Sequence, residues 1–255
     1  FNLDRVGAVA PGYFANLVVL KDLRSFSAVS VYHMGRLVAE NGRLLSPVNI
    51  LRDDTVMSTV AVPKGMQDKL IYPAQGLVNS IRVFPDQILT RKEIAPVSDA
   101  VGGRLNYAAV IERHGRNGNV GIGFVSGFGL KEGAMASTVS HDSHNIVAVG
   151  SSPSDIAFAA EALAGMGGGY VIVKKGEVLA SLPLEVAGLM SLEPARKVAS
   201  SLKFLHEKAR SLGTIFSSPL MTMSFIALPV IPEIRLTDKG LVDVGKFDFI
   251  PLKAD

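Results

Sequence analysis

No cysteine and no tryptophan occur among the 255 residues, and only 19% of the residues are charged. Without cysteine there are no disulfides and no thiolate metal sites, which accords with a cytoplasmic chain. Long apolar runs are missing too. The longest, Leu220 to Pro232, is interrupted by Pro229 and falls well short of the roughly 20 residues that span a bilayer, so no membrane crossing is expected. No basic stretch followed by a short apolar one marks a secretory leader. Charge of one sign is equally scarce: 26 Lys and Arg against 23 Asp and Glu leave a formal +3, dispersed along the chain, so nucleic acid is not an expected partner.

What is present is apolar material. At 48% hydrophobic residues, the chain can bury a large core without a covalent or metal staple. The pattern divides it into three stretches. Residues 1–45 are β-rich: Leu17 to Leu20 is one strand, Val29 to Val38 a second, and Asn41-Gly42 a type I′ turn that returns through Leu44-Leu45. Phe1 is followed almost at once by the turn Pro11-Gly12, which reads as the interior of a longer unit. Residues 46–79, broken by Pro47, Pro63 and Pro73, form an ordered connector, and residues 80–255 a second domain.

In that domain the expected strands are Ile81 to Phe84, Leu105 to Arg113, Asn119 to Val125, Ala134 to Val139 and Ile146 to Gly150, with a hairpin over Tyr170 to Val173 and Val178 to Leu182. Gly121 and Gly123 alternate with Val120, Ile122 and Phe124, so one face shows bare backbone that either a neighbouring element or a ligand can approach. Ser152-Pro153-Ser154-Asp155 opens a helix that stops at Gly167-Gly168-Gly169. Val198, Leu202, Leu205, Ala209 and Leu212 mark the apolar stripe of a second helix, whose Arg196, Lys197, Lys203, Lys208 and Arg210 face solvent. A third helix over Leu220 to Leu228 and a strand near Leu241 to Val244 complete an α+β fold. Its sheet is mostly antiparallel with helices packed on one side, preceded by a short β-sandwich fragment.

Chemistry concentrates in one place. His33, His114 and His206 sit in a strand, a turn and a charged helix, where structural or solvent-facing roles are expected. Ser140, His141, Asp142, Ser143, His144 and Asn145 instead gather titratable and hydrogen-bonding groups in one loop between two buried strands. Three readings stay open for this loop: a metal site of His141, Asp142 and His144, a turn that satisfies its own backbone, or a polar surface facing a substrate or another domain. A second candidate loop is Gly188, Leu189, Met190 and Ser191. There is no G-x-S-x-G elbow, and the triple glycine precedes a strand instead of opening a helix, so serine-nucleophile and phosphate-loop readings fail.

Two stretches carry a family resemblance. From Gly7 to Leu20, through Pro11-Gly12-Tyr13 and Ala15-Asn16-Leu17, and from Val31 to Ala39, the chain resembles the segment that completes the β-sandwich of metal-dependent amidohydrolases, with Asn16 where Asp is typical. Ala109 to Gly115, Gly127 to Ala134, Ser140 to Ile146, Ala187 to Ser191 and Met223 to Pro232 are together similar to the C-terminal domain of the adenine deaminase family.

The resemblance implies hydrolysis of adenine to hypoxanthine and ammonia, in purine salvage. The intact protein would use a divalent metal, manganese or iron, to activate water. In the family that metal is held by a barrel through a His-x-His pair, further histidines and an aspartate. This chain has no His-x-His, so no metal or catalytic position is carried over and no metal is expected in this chain alone. The implied partners are the missing barrel, adenine and, given the apolar content, further copies of the chain. The chain alone is expected not to deaminate adenine. The alternative is a non-catalytic structural or oligomerisation domain.

Overall fold

A computed structural model describes residues 3–48 and 52–254. The chain divides into two units, Phe1–Arg52 and Asp53–Asp255. Residues 49–51 of the expected connector, and Phe1 and Asn2 of the expected sandwich fragment, lie outside the described residues.

In the first unit, β1 (Leu17–Leu20), β2 (Ala28–His33), β3 (Arg36–Glu40) and β4 (Arg43–Leu44) form one antiparallel sheet in sequence order. The run Val29 to Val38 is therefore a hairpin and not one strand. Met34 and Gly35 both take left-handed backbone, at φ 51° and 79°, which turns the chain back with the twist that paired strands need. Asn16 Oδ1 receives the Met34 amide at 2.9 Å, an acceptor role that an Asp carboxylate would fill equally well. Asn41-Gly42, at φ 48° and 75°, makes the expected tight turn. None of the unit's described residues is buried, as befits a small sheet without a core of its own.

The second unit is built on eight strands: β5 (Leu77–Arg82), β6 (Arg91–Pro96), β7 (Leu105–Ile111), β8 (Val120–Ser126), β9 (Ala134–Ser137), β10 (Ile146–Gly150), β11 (Gly169–Lys174) and β12 (Glu177–Pro183). They lie in the order β12-β11-β9-β10-β7-β8-β5-β6. Neighbours are antiparallel except β5 and β8, which pair in parallel with Ser80 opposite Phe124. The expected strand at Ile81 to Phe84 begins earlier, at Leu77, and residues 53–76 pack within this unit. There α1 (Met66–Lys69) buries Met66, and the Tyr72 hydroxyl donates to the Ala108 carbonyl at 2.6 Å.

The α+β class and the mostly antiparallel sheet are as expected, but helices cover both faces. Along β10, Ile146 and Ala148 face α2 (Pro153–Gly165) through Ile156, Ala160 and Leu163. Val147 and Val149 face the opposite side, where α3 (Ala195–Ser211) contributes Leu205 and Ala209 and α4 (Pro219–Ile226) contributes Leu220 and Met223. The physical reason is that β10 and all of β9 but its last residue, Ser137, lack polar side chains, a pattern that demands cover on both sides. Each such aliphatic side chain contributes roughly 2 kcal/mol on burial.

The bare face of β8 is occupied by the hairpin of β13 (Ile234–Thr237) and β14 (Gly240–Asp243), which continues to β15 (Asp248–Ile250). A Cβ on Gly121 would stand 1.8 Å from the Thr237 carbonyl oxygen, and one on Gly123 3.3 Å from Leu236. The neighbouring-element reading of those glycines is the correct one. No helix among the described residues is long and apolar enough to cross a membrane.

Candidate functional site

Between β9 and β10 the chain makes a sharp excursion. Asp142 and His144 adopt left-handed backbone at φ 61° and 49°, each costing about 1 kcal/mol, so the surrounding bonds must hold them there. They do. Ser143 N donates to the His141 carbonyl at 2.9 Å, and the Ser140 hydroxyl closes the base of the loop on the Asn145 carbonyl at 2.9 Å. From the β7–β8 turn, His114 Nε2 lies 2.9 Å from the Ser143 carbonyl.

Arg113 makes the strongest tie. Its side chain is among the largest fully buried ones, and no carboxylate pairs with it among the described residues. The guanidinium Nε donates to the His144 carbonyl, and Nη2 donates to Ala187 O at 3.1 Å. Burial holds its pKa below the ordinary arginine value. The preceding Glu112 shapes the turn that Arg113 enters: its carboxylate accepts the amides of His114, Arg116, Asn117 and Gly118 at 2.6–3.4 Å. Burial pushes its pKa up, but the four donors outweigh that and leave it below the ordinary glutamate value.

The same bonds bring the second candidate loop alongside the first. Thr138 Oγ1 donates to the Gly188 carbonyl at 2.6 Å and accepts the Gly169 amide at 2.7 Å. Gly188 packs so tightly that a Cβ there would meet Arg113 Nη1 at 2.7 Å. Leu189 N and Met190 N both donate to the Val186 carbonyl, Met190 is exposed, and the Ser191 hydroxyl accepts the Glu193 amide at 3.1 Å.

One side of the polar loop opens on a cavity of about 430 Å³, bordered by Ser140, His141 and His144 and, across from them, by Tyr170, Leu202, His206, Leu220, Met221 and Ser224. The His141 ring rests on Phe225 with centroids 4.3 Å apart. His141 Nε2, His144 Nδ1 and Asn145 Oδ1 are buried without a hydrogen-bond partner. Asp142 and Ser143 are exposed.

His206, expected to be structural or solvent-facing, instead lines this cavity. Burial, assisted by Arg210, keeps its pKa below the ordinary histidine value. The signal was its position four residues after Leu202, which places both on one face of α3. Tyr170, read only as a strand residue, and Arg113, read as a strand residue within a family motif, were not singled out as site residues. His33 is exposed at the end of β2. Among the described residues, no three His, Cys, Asp or Glu side chains come together as ligands of one ion, so the imidazoles here do not fit a divalent metal.

Comparison with known proteins gives these residues a family. The model of the family described as "Adenine deaminase C-terminal domain" matches residues 87–248. An adenine deaminase of Dehalococcoides mccartyi is 42% identical over 98% of this chain and 45% of its own length. "Adenine deaminase 2" of Carboxydothermus hydrogenoformans is 44% identical over 99% and 46%. An adenine deaminase of Brucella abortus is 43% identical over 98% and 44%. The chain thus spans less than half the length of these curated relatives, and it carries both candidate loops inside the matched region: it belongs to the adenine deaminase family, in the portion that contains the C-terminal domain.

Proposed function

We propose that this chain is the C-terminal part of an enzyme that hydrolyses adenine to hypoxanthine and ammonia in the cytoplasm, within purine salvage, and that its Ser140–Asn145 loop faces the reaction site. The observation that carries the reading is the set of buried, unpartnered atoms His141 Nε2, His144 Nδ1 and Asn145 Oδ1 in a loop whose backbone carbonyls are held by Ser140, Arg113 and His114. An unsatisfied buried polar atom costs about 1–3 kcal/mol, so such atoms persist where a ligand or another part of the enzyme completes them.

In this reading the divalent ion, manganese or iron, is held by a barrel outside the described residues, and it supplies activated water when bound. The residues of this chain do different work. Ser140 and Arg113 fix the backbone on both sides of the loop, and Phe225 sets the plane of the His141 ring. Each imidazole can accept or donate one hydrogen bond according to its tautomer, which suits holding a heterocycle or passing a proton to the departing ammonia. The chain alone does not turn over.

The test is His141→Ala and His144→Ala in the intact enzyme. We expect kcat/KM for adenine to fall at least about tenfold for one of them, in line with the loss of a positioned acid or base. Unchanged turnover and unchanged affinity in both would leave the loop a structural or oligomerisation element. Turnover by the purified chain with added manganese would refute the assignment of chemistry to the barrel.

A further inference from the structure

We infer that a second cavity, between residues 61–69 and the β7–β8 turn, is a binding site for a phosphate group. It does not draw on any role for the Ser140–Asn145 loop. The cavity measures about 430 Å³, and its charged lining comes from Lys64 and Lys69 on one segment and from Glu112 and Arg116 on the other. The two segments are fastened together at two points: the Ala61 amide donates to the Arg113 carbonyl at 2.9 Å, and Lys69 Nζ donates to the Gly118 carbonyl at 2.7 Å. The site is therefore built before any ligand arrives, which spares the cost of ordering it.

The charges decide the class of ligand. Three cations border the cavity against one carboxylate, in a chain whose charges are otherwise close to balanced. That carboxylate is already committed. Glu112 Oε1 accepts the His114 amide, and Oε2 accepts those of Arg116, Asn117 and Gly118, so neither oxygen is left to pair with a side chain across the cavity. Among the described residues, the Lys64 ammonium and the Arg116 guanidinium make no hydrogen bond or ion pair, and Lys69 spends one of its three donors on Gly118. Like charges gathered around one concave surface raise its potential and draw in an anion.

A single carboxylate would offset only one of the three cations. A phosphate group carries a charge of about −1.5 to −2 near pH 7 and offers three strong acceptor oxygens, which matches two ammoniums and a guanidinium in both charge and number. The guanidinium can also take two of those oxygens at once through its planar fork. A metal cation would be repelled, and a neutral guest would leave the three charges as they stand. Val62 and Pro63 supply an apolar part of the lining, and the volume is larger than a bare ion fills, so the body of a phosphate ester can be seated there too.

The experiment is calorimetric titration of the 255-residue chain with inorganic phosphate and with glycerol 3-phosphate at physiological ionic strength. We expect saturable binding of at least one of them, with Kd of about 1 mM or tighter and weakening as salt is raised. An ester that binds no tighter than the free ion assigns the site to inorganic phosphate, and one that binds tighter assigns it to an organic phosphate. The double variant Lys64→Gln, Arg116→Gln removes two exposed charges that hold nothing else in the fold, and should weaken binding at least about tenfold. Lys203→Gln, on the exposed face of α3, removes a charge elsewhere and should change binding less than about twofold. Binding of neither ligand up to about 10 mM, binding by the double variant as tight as by the parent, or an equal loss in Lys203→Gln overturns the inference.

Discussion

Arg113 and His144 are joined through a hydrogen bond from the guanidinium Nε to the carbonyl that follows the left-handed turn, and the far side of the same guanidinium holds Ala187. One buried cation thereby fixes the spacing of two loops that are more than forty residues apart in sequence.

Replacing Arg113 by alanine should strand both carbonyls. The expected loss is about 2 kcal/mol of stability in urea denaturation, with faster amide exchange over residues 142–145 and 187–190. Arg113→Lys should recover little, because an ammonium cannot reproduce the planar fork that reaches two carbonyls. Unchanged exchange in both segments would show that the guanidinium does not couple them.

Gly188→Ala is predicted to cost about 1–3 kcal/mol, since its φ is +69° and the new Cβ would press on Arg113 Nη1 at 2.7 Å and Val60 Cγ2 at 2.9 Å. Gly176 is the control. It also has positive φ, at +76°, but nothing lies within 4 Å, so Gly176→Ala should carry only the backbone strain of about 1 kcal/mol. Equal losses from thermal melts of the two variants would count against the close packing of the second loop.

The fold was legible wherever the signal was local. Ser152-Pro153 announced α2, and the Ser152 hydroxyl does accept the Asp155 amide at 3.2 Å. The strands around the polar loop followed from their short, mostly apolar runs. Pairings between distant segments were not legible: nothing near Ser80 says that it will lie beside Phe124, and although the strand near Leu241 to Val244 was expected and is β14, nothing in it says that its hairpin with β13 covers Gly121 and Gly123. Likewise, the six loop residues stood out by composition, whereas His206 was masked by the charged residues around it on α3. The family motifs located both loops but could not show that Arg113 links them.

Glu112 makes stability depend on acid. Its pKa is below the ordinary glutamate value in the folded chain, so its contribution is complete above that ordinary value and drains away as pH falls through the folded one. Glu112→Gln should therefore be less stable than the parent at pH 7, with the gap closing below about pH 4.5, the ordinary value. A gap that stays constant between pH 7 and pH 3 in denaturant titrations would contradict the four-amide clasp.

His206 runs the same way for a base. Its pKa is lowered, so the folded chain favours the neutral ring, and stability is lost as pH drops below the ordinary value of 6.5. The ring's nitrogen resonances should titrate below that value, and Arg210→Gln should move the midpoint upward by removing a neighbouring positive charge. A midpoint at or above 6.5 in the parent chain would mean the imidazole is better hydrated than its place on the cavity wall allows.

The strands on either side of the polar loop, β9 and β10, are buried at every residue, sealed by helices above and below. The histidines are therefore mounted on a loop whose two ends run into the buried core. A group that meets these rings meets an anvil, because the two ends of the loop that carries them are held by packed strands.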